Sequence, residues 1–174
     1  MDIISHGLWG GIAFGRRRHF AIAFLFGMLP DLIAFGPFSI YAQLNGIHFH
    51  RQPPLELIPS WVFGLYNSGH SLLVALPAYF IVRRVSKGVS LCCLAWPLHI
   101  LFDIPTHSAG YFPTKFLYPV SDFFINGRSW VSPVVWYPNV IMLIILYSIF
   151  IFSLVSKRRK QKRLTAAIHP EHMK

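Results

Sequence analysis

The amino-acid sequence predicts an all-α protein, a polytopic transmembrane helical bundle of four spans with a short inserted helix ahead of them. Three observations lead there. Hydrophobic residues make up 54% of the 174-residue chain and charged residues only 13%, about half the share found in soluble domains. The mean hydropathy is +0.49, so hydrocarbon is a better solvent for the outer surface than water. The basic residues, finally, are bunched beside apolar stretches rather than spread over the chain.

Residues 2–15, DIISHGLWGGIAFG, are apolar but too short for a hydrocarbon core, which takes roughly 20 helical residues to cross. Gly7, Gly10, Gly11 and Gly15 suit close packing on other helices. The segment is therefore expected to be a half-penetrating N-terminal helix descending toward Arg16, with a full fifth span as the alternative. Four longer stretches follow, at about 19–42, 60–82, 89–108 and 131–156. The last is the clearest, since VIMLIILYSIFIFSLV carries no charge. The third is the shortest and contains both His99 and Asp103. Trp61, Trp130 and Trp136 fall near span ends, where amphipathic rings favour the interface. Residues 1–156 are read as one membrane-embedded domain and 157–174 as a basic cytoplasmic tail. No signal peptide is evident, because the arginines follow the first apolar segment, so any insertion signal is expected to be retained.

The net charge is +10, from 16 Lys+Arg against 6 Asp+Glu. In a soluble protein that balance would suggest nucleic acid. Here the groups are Arg16–Arg18, Arg83-Arg84 with Lys87, and KRRKQKR from Lys157 to Arg163, and each abuts a span. Such flanks argue against nucleic acid and for membrane lipid as the partner, with the tail reaching anionic head groups. With all three groups cytoplasmic, the spans alternate consistently: 19–42 runs outward, 60–82 inward, 89–108 outward and 131–156 inward. The expected location is the cell (inner) membrane. Cys92 and Cys93 are adjacent within an apolar segment and define no disulfide framework.

Ionisable residues inside spans are costly and by default face a cavity or each other. Asp31 lies 13 residues beyond Arg18, His70 lies 13 before Arg83, His99 lies 12 after Lys87, and His6 lies 10 before Arg16. Asp103 is one turn beyond His99, on the same helix face. At 1.5 Å per residue these groups all stand roughly 15–24 Å above the cytoplasmic flank. His6, Asp31, His70, His99 and Asp103 thus share a slab between mid-bilayer and the outer half. Imidazole and carboxylate suit zinc or a similar divalent ion, and such an ion would let the carboxylates stay charged in apolar surroundings. The plainer reading of each residue alone is a hydrogen-bonded packing group; convergence of four segments at one depth favours a site. His107 would continue the His99–Asp103 face if the helix persisted past Pro105. His19, His48, His169 and His172 flank spans or lie in the tail and carry no expected role. In the 109–130 loop, Lys115 and Arg128 are candidates to meet an anionic head group and Asp122 to act as ligand or base, unless the loop is simply an interfacial aromatic belt.

Five elements in order carry a resemblance. They are SHGLWGG with His6, GMLPDL with Asp31, His50-Arg51 ahead of the second span, NSGHSLL with His70 and Ser71, and HILFDIPTHSAG with His99, Asp103, Thr106 and His107. The set, running from residue 6 to about 123, resembles the YdjM-like family of predicted membrane-bound metal-dependent hydrolases. That family is in turn similar, in its order of His and Asp ligands, to the zinc-dependent phospholipase C group. The resemblance implies His6, Asp31, His70, His99 and Asp103 as ligands of a divalent metal, zinc above all, with His107 as a further one. The chain departs from the family pattern at Gly69, where a Thr is usual, and at Ile33, where a second acid commonly follows. The expected function is hydrolysis of a phospholipid-type or other amphiphilic ester, with Asp103 or His107 as base and Arg51 or Lys115 neutralising the substrate. The alternatives are a small transporter or ion-translocating protein lined by the same residues, for which a homodimer would supply missing spans, and a non-catalytic protein with polar packing groups.

Overall fold

A computed structural model describes residues 1–48 and 52–168, and among these the regular structure is helical. The short helix α1 (Ile3–Phe14) starts at Asp2, whose carboxylate accepts from the Ser5 backbone N–H at 2.8 Å. It is followed by α2 (Arg16–Leu44), kinked at His19, whose φ/ψ of −125°/21° leaves the helical region. A 3-10 turn at Leu55–Leu57 leads to α3 (Ser60–Gly69) and α4 (Leu72–Val85), then α5 (Lys87–Cys93) and α6 (Ala95–Thr106), and last α7 (Pro133–Ile168).

Three helical stretches are long and apolar enough to cross a membrane: Arg18–Leu44, Lys87–Thr106 and Pro133–Gln161. The pair α3 and α4 makes a fourth if counted as one span, and it is bent by 54°. The sequence suggested an unbroken helix there, and hydropathy has no means of sensing the bend. The 109–130 loop explains how the break survives in an apolar setting, where every backbone polar group needs a partner inside the protein. The Ser71 hydroxyl caps the Leu73 N–H at 3.1 Å and donates to the Tyr118 carbonyl at 2.5 Å, while the Leu72 N–H donates to the Phe116 carbonyl at 2.9 Å. The 109–130 loop is thus ordered, as its Pro and aromatic content suggested, and it plugs the broken span.

The basic clusters end up together. Gly88, at the start of α5, lies beside the His19 ring, and the Cys92 thiol approaches the Phe14 and His19 carbonyls. Helix α7 runs alongside α1 in the same direction, since Asn139 meets Ser5 and Tyr147 meets the Leu8 carbonyl. The Arg16, Arg83 and Lys157 ends therefore share one end of the bundle, the arrangement that the charge pattern requires. The α7 face away from α1 exposes Ile141, Ile144, Ile145, Ile149 and Phe152, as befits a helix solvated by lipid.

Helix α1 makes its most extensive contact with α2, and glycine permits it. A Cβ on Gly27 would stand 2.4 Å from the His6 carbonyl oxygen, and one on Gly10 would stand 2.7 Å from that of Ala23. The backbones touch directly, as in small-residue packing within membranes. Substituting Gly27→Ala should therefore push α1 off α2 and cost about 1–3 kcal/mol of stability in detergent, as overpacking does. Gly36→Ala, on the same helix with open space around it, should be neutral or stabilising by up to about 1 kcal/mol. Thermal or denaturant unfolding of the two variants side by side checks both.

Candidate metal centre

His70 caps the C-terminus of α3, at the break. Its Nδ1 lies 2.9 Å from the Tyr66 carbonyl oxygen. A carbonyl only accepts, so Nδ1–H donates and the remaining ring nitrogen, Nε2, faces the bundle interior. His99 on α6 repeats the pattern, with Nδ1–H donating to the Gly27 carbonyl at 2.6 Å. Trp96, one turn earlier on α6, donates its indole N–H to the Gly69 carbonyl at 2.7 Å and ties the two imidazole-bearing elements together. Tyr66 stacks on the His70 ring with centroids 3.8 Å apart.

The two Nε2 atoms stand 3.0 Å from each other. Asp103 Oδ2 is 3.0 Å from His99 Nε2 and 3.3 Å from His70 Nε2; Asp31 Oδ1 is 3.9 Å and 3.5 Å from the same atoms. One ligand atom from each of Asp31, His70, His99 and Asp103 lies within 4.8 Å of all the others, and all four residues are buried. Around a tetrahedral ion with bonds of about 2.0–2.2 Å, ligand atoms stand roughly 3.2–3.6 Å apart, which the observed spacings bracket. Asp103 Oδ2 is buried with no well-directed hydrogen bond. Imidazoles pinned through Nδ1–H to carbonyls, with Nε2 aimed at carboxylates, form the outer-shell arrangement of histidine metal ligands. The group fits a divalent cation.

The other oxygen of Asp103 organises a second set. His6 Nε2 lies 2.9 Å from Oδ1, His107 Nδ1 3.3 Å, and the Met1 nitrogen 2.5 Å. His6 also stacks face to face on His99, with centroids 3.5 Å apart and 17° between planes. Helix α6 persists one residue past Pro105, and His107 is its C-cap, so the His99–Asp103–His107 face does continue.

Asp31 and His107 also line a cavity of about 340 Å³, together with Ile3, Phe35, Phe38 and Trp130 among others. Phe112, which contributes to this wall, holds φ at +48°, an uncommon conformation for a bulky residue. Its ring is locked between Phe63, Phe35 and Tyr66, at centroid distances of 4.9, 5.2 and 4.8 Å.

The structure therefore brings His6, Asp31, His70, His99, Asp103 and His107 into one buried cluster. Lys115 instead pairs with the exposed Asp122 at 2.8 Å, and neither lines the cavity. His50 and Arg51, like His169 and His172, lie outside the described residues. Sequence reasoning missed Tyr66, Trp96, the Gly27 carbonyl and Asn139. Asn139 did leave a signal, being an amide near the start of an apolar span. No family model, curated protein or solved structure matches the chain, so the geometry of the cluster carries its interpretation.

Asn139 joins α7 to α1 through side chains alone. The Trp9 indole donates to Asn139 Oδ1 at 2.8 Å, Asn139 Nδ2 donates to Ser5 Oγ at 3.0 Å, and Ser5 Oγ donates to Asp2 at 2.6 Å. Asn139→Leu should cut this chain and cost about 0.6–1.7 kcal/mol, the range for interhelical hydrogen bonds in membranes. Met142→Leu, on the exposed side of α7, should leave unfolding in detergent unchanged.

Proposed function

We propose that the chain is a membrane-bound metal-dependent hydrolase acting on an ester of an amphiphile, a phospholipid-type phosphoester being the leading substrate, as its likeness to the YdjM-like family implies. One observation carries the reading: two imidazole Nε2 atoms and two carboxylates converge in one buried group, and one of its members, Asp31, lines a mostly apolar cavity. In this reading Asp31, His70, His99 and Asp103 hold a divalent ion, and zinc is favoured because a mixed nitrogen and carboxylate set at tetrahedral spacing suits it. A divalent ion there supplies Lewis acidity toward the ester oxygen and toward water.

The protein's own groups do the rest. His6 and His107 bond Asp103 Oδ1 and fix the plane of the carboxylate whose other oxygen faces the ion. His107 borders the cavity as well, so its imidazole is the candidate to accept a proton from water and return it to the leaving oxygen. Asp103 is the alternative base. Arg51, next in sequence to the cavity residue Gln52, is the candidate to neutralise an anionic substrate. The four candidate ligands are themselves buried, which strengthens every charge interaction among them. The protein is expected in the cell membrane with its C-terminus cytoplasmic and the site opening toward the outer half.

A stoichiometric divalent metal should survive gentle purification, and His99→Ala should lose it. Lipid extracts incubated with the protein should show a metal-dependent product, with turnover falling by roughly 10–100-fold or more in Asp103→Ala. Equal turnover in wild type and variant sinks the enzyme reading. The span broken at His70 favours one rival, since transporters bind ions at discontinuous helices. Metal flux into proteoliposomes without any lipid product would establish that rival instead.

A further inference from the structure

The cavity above the cluster constrains what can occupy it. Its volume is about 340 Å³. A cavity of about 150 Å³ accommodates benzene, so this one holds roughly twice as much hydrocarbon, on the order of a dozen carbons. The acyl chains of an ordinary two-chain membrane lipid exceed that several-fold. The walls are also poorly placed to widen. Phe35 meets Phe112 and Tyr66 edge-on or tilted, and Phe112 stacks on Phe63 and meets Tyr111, with every centroid distance between 4.9 and 5.9 Å. Phe112 and Phe38 are buried to within 3% and 2%, and close-packed aromatic clusters resist expansion. The lining is mostly apolar, through Ile3, Phe35, Phe38 and Phe112, with Asp31 of the metal group, His107 beside it, and Asp2, Ser39 and Gln52 as further polar groups. An occupant that matches this has a hydrolysable group at one end and a single short apolar stem.

We infer that the cavity receives one hydrocarbon chain of a single-chain amphiphile, and that two-chain lipids are excluded from it. The word substrate for this amphiphile rests on the hydrolase reading; the binding of the chain does not. Selectivity then comes from volume. Chains up to about a dozen carbons gain apolar contact with each methylene added, and longer ones must leave their ends outside.

The test uses the full chain in lipid nanodiscs and a dodecylphosphocholine analogue with a diazirine at the chain terminus. After illumination, mass spectrometry should find the label on cavity residues such as Phe35, Phe38 or Tyr111. Unlabelled single-chain phosphocholines should compete better as their chains lengthen from eight toward about twelve carbons and no better beyond. A diacyl phosphocholine carrying the same diazirine should label lipid-facing α7 and not the cavity. Phe38→Trp and Ile3→Trp, which fill the space from α2 and from α1, should each lower cavity labelling several-fold at unchanged metal content. Cavity labelling by the diacyl probe, or undiminished labelling in both filled variants while they unfold at the wild-type temperature, overturns the inference. The two readings fail separately: His99→Ala should strip the metal and leave chain labelling in place. A cavity that labels in a protein holding no metal refutes the hydrolase alone. Metal and lipid turnover without cavity labelling refutes the single-chain occupant alone.

Discussion

The structure depends on the burial of one carboxylate. Asp103 is fully inaccessible, and an isolated charge in such a place would cost more than the whole stability of the fold. It is tolerated because several segments contribute polar partners: the Met1 nitrogen and His6 at the N-terminal end, His70 from the break between α3 and α4, and His99 and His107 from or next to its own helix. Removing any one leaves the others under-compensated, so their effects should couple rather than add. The course of the chain follows from this. Helix α1 is held at the depth where His6 reaches Asp103, and the second span bends where His70 must turn inward.

That bend would be costly in hydrocarbon and is supported by the loop between α6 and α7. The Phe116 and Tyr118 carbonyls of the 109–130 loop accept from the Leu72 N–H and the Ser71 hydroxyl. The same loop sends Phe112 down to the cavity wall, where the Tyr66 hydroxyl donates to its carbonyl at 3.0 Å. Tyr66 thus links three functions: its ring stacks on His70, its backbone carbonyl fixes the His70 tautomer, and its hydroxyl holds the loop. On the opposite side α7, mostly lipid-exposed, reaches inward through Asn139 and Tyr147 to hold α1. Rigidity of the cluster is therefore distributed over a loop and a span that contribute no ligand.

Much of this was legible in the sequence because two physical signals are one-dimensional. Apolar run length located the spans, and counting residues from each basic flank to the nearest His or Asp located a common depth. The depth count succeeds because helical rise is constant, so residues far apart in sequence can be compared against one plane. What could not be read was lateral. Nothing in the chain says that the Gly27 carbonyl points at His99, since that depends on how α2 packs against α6. The break at His70 was hidden because Gly69-His70-Ser71 interrupts neither hydropathy nor length. Lys115 looked like a candidate for the site, but Asp122 seven residues on offered it a nearer partner in the same loop.

The remaining question is what balances the charge of Asp31 and Asp103 together. One option is a proton on a histidine. With both Nδ1–H groups committed to carbonyls, that proton would sit on one Nε2, between a carboxylate oxygen and the other imidazole's lone pair. With the Met1 nitrogen already compensating Asp103 at Oδ1, it would still leave a second Nε2 lone pair against a carboxylate oxygen. A divalent cation accepts all four at once and leaves both Nδ1–H bonds intact. Either a shared proton or a divalent cation accounts for the 3.0 Å approach of the two nitrogens. Backbone carbonyls that fix both tautomers make sense in the second case, because a metal ligand must keep its lone pair on a set nitrogen. In the first case they would only prevent the rings from sharing a proton freely. The rigid pairing of Tyr66 with His70 and of Gly27 with His99 is the outer-shell support that a divalent cation at this group would require.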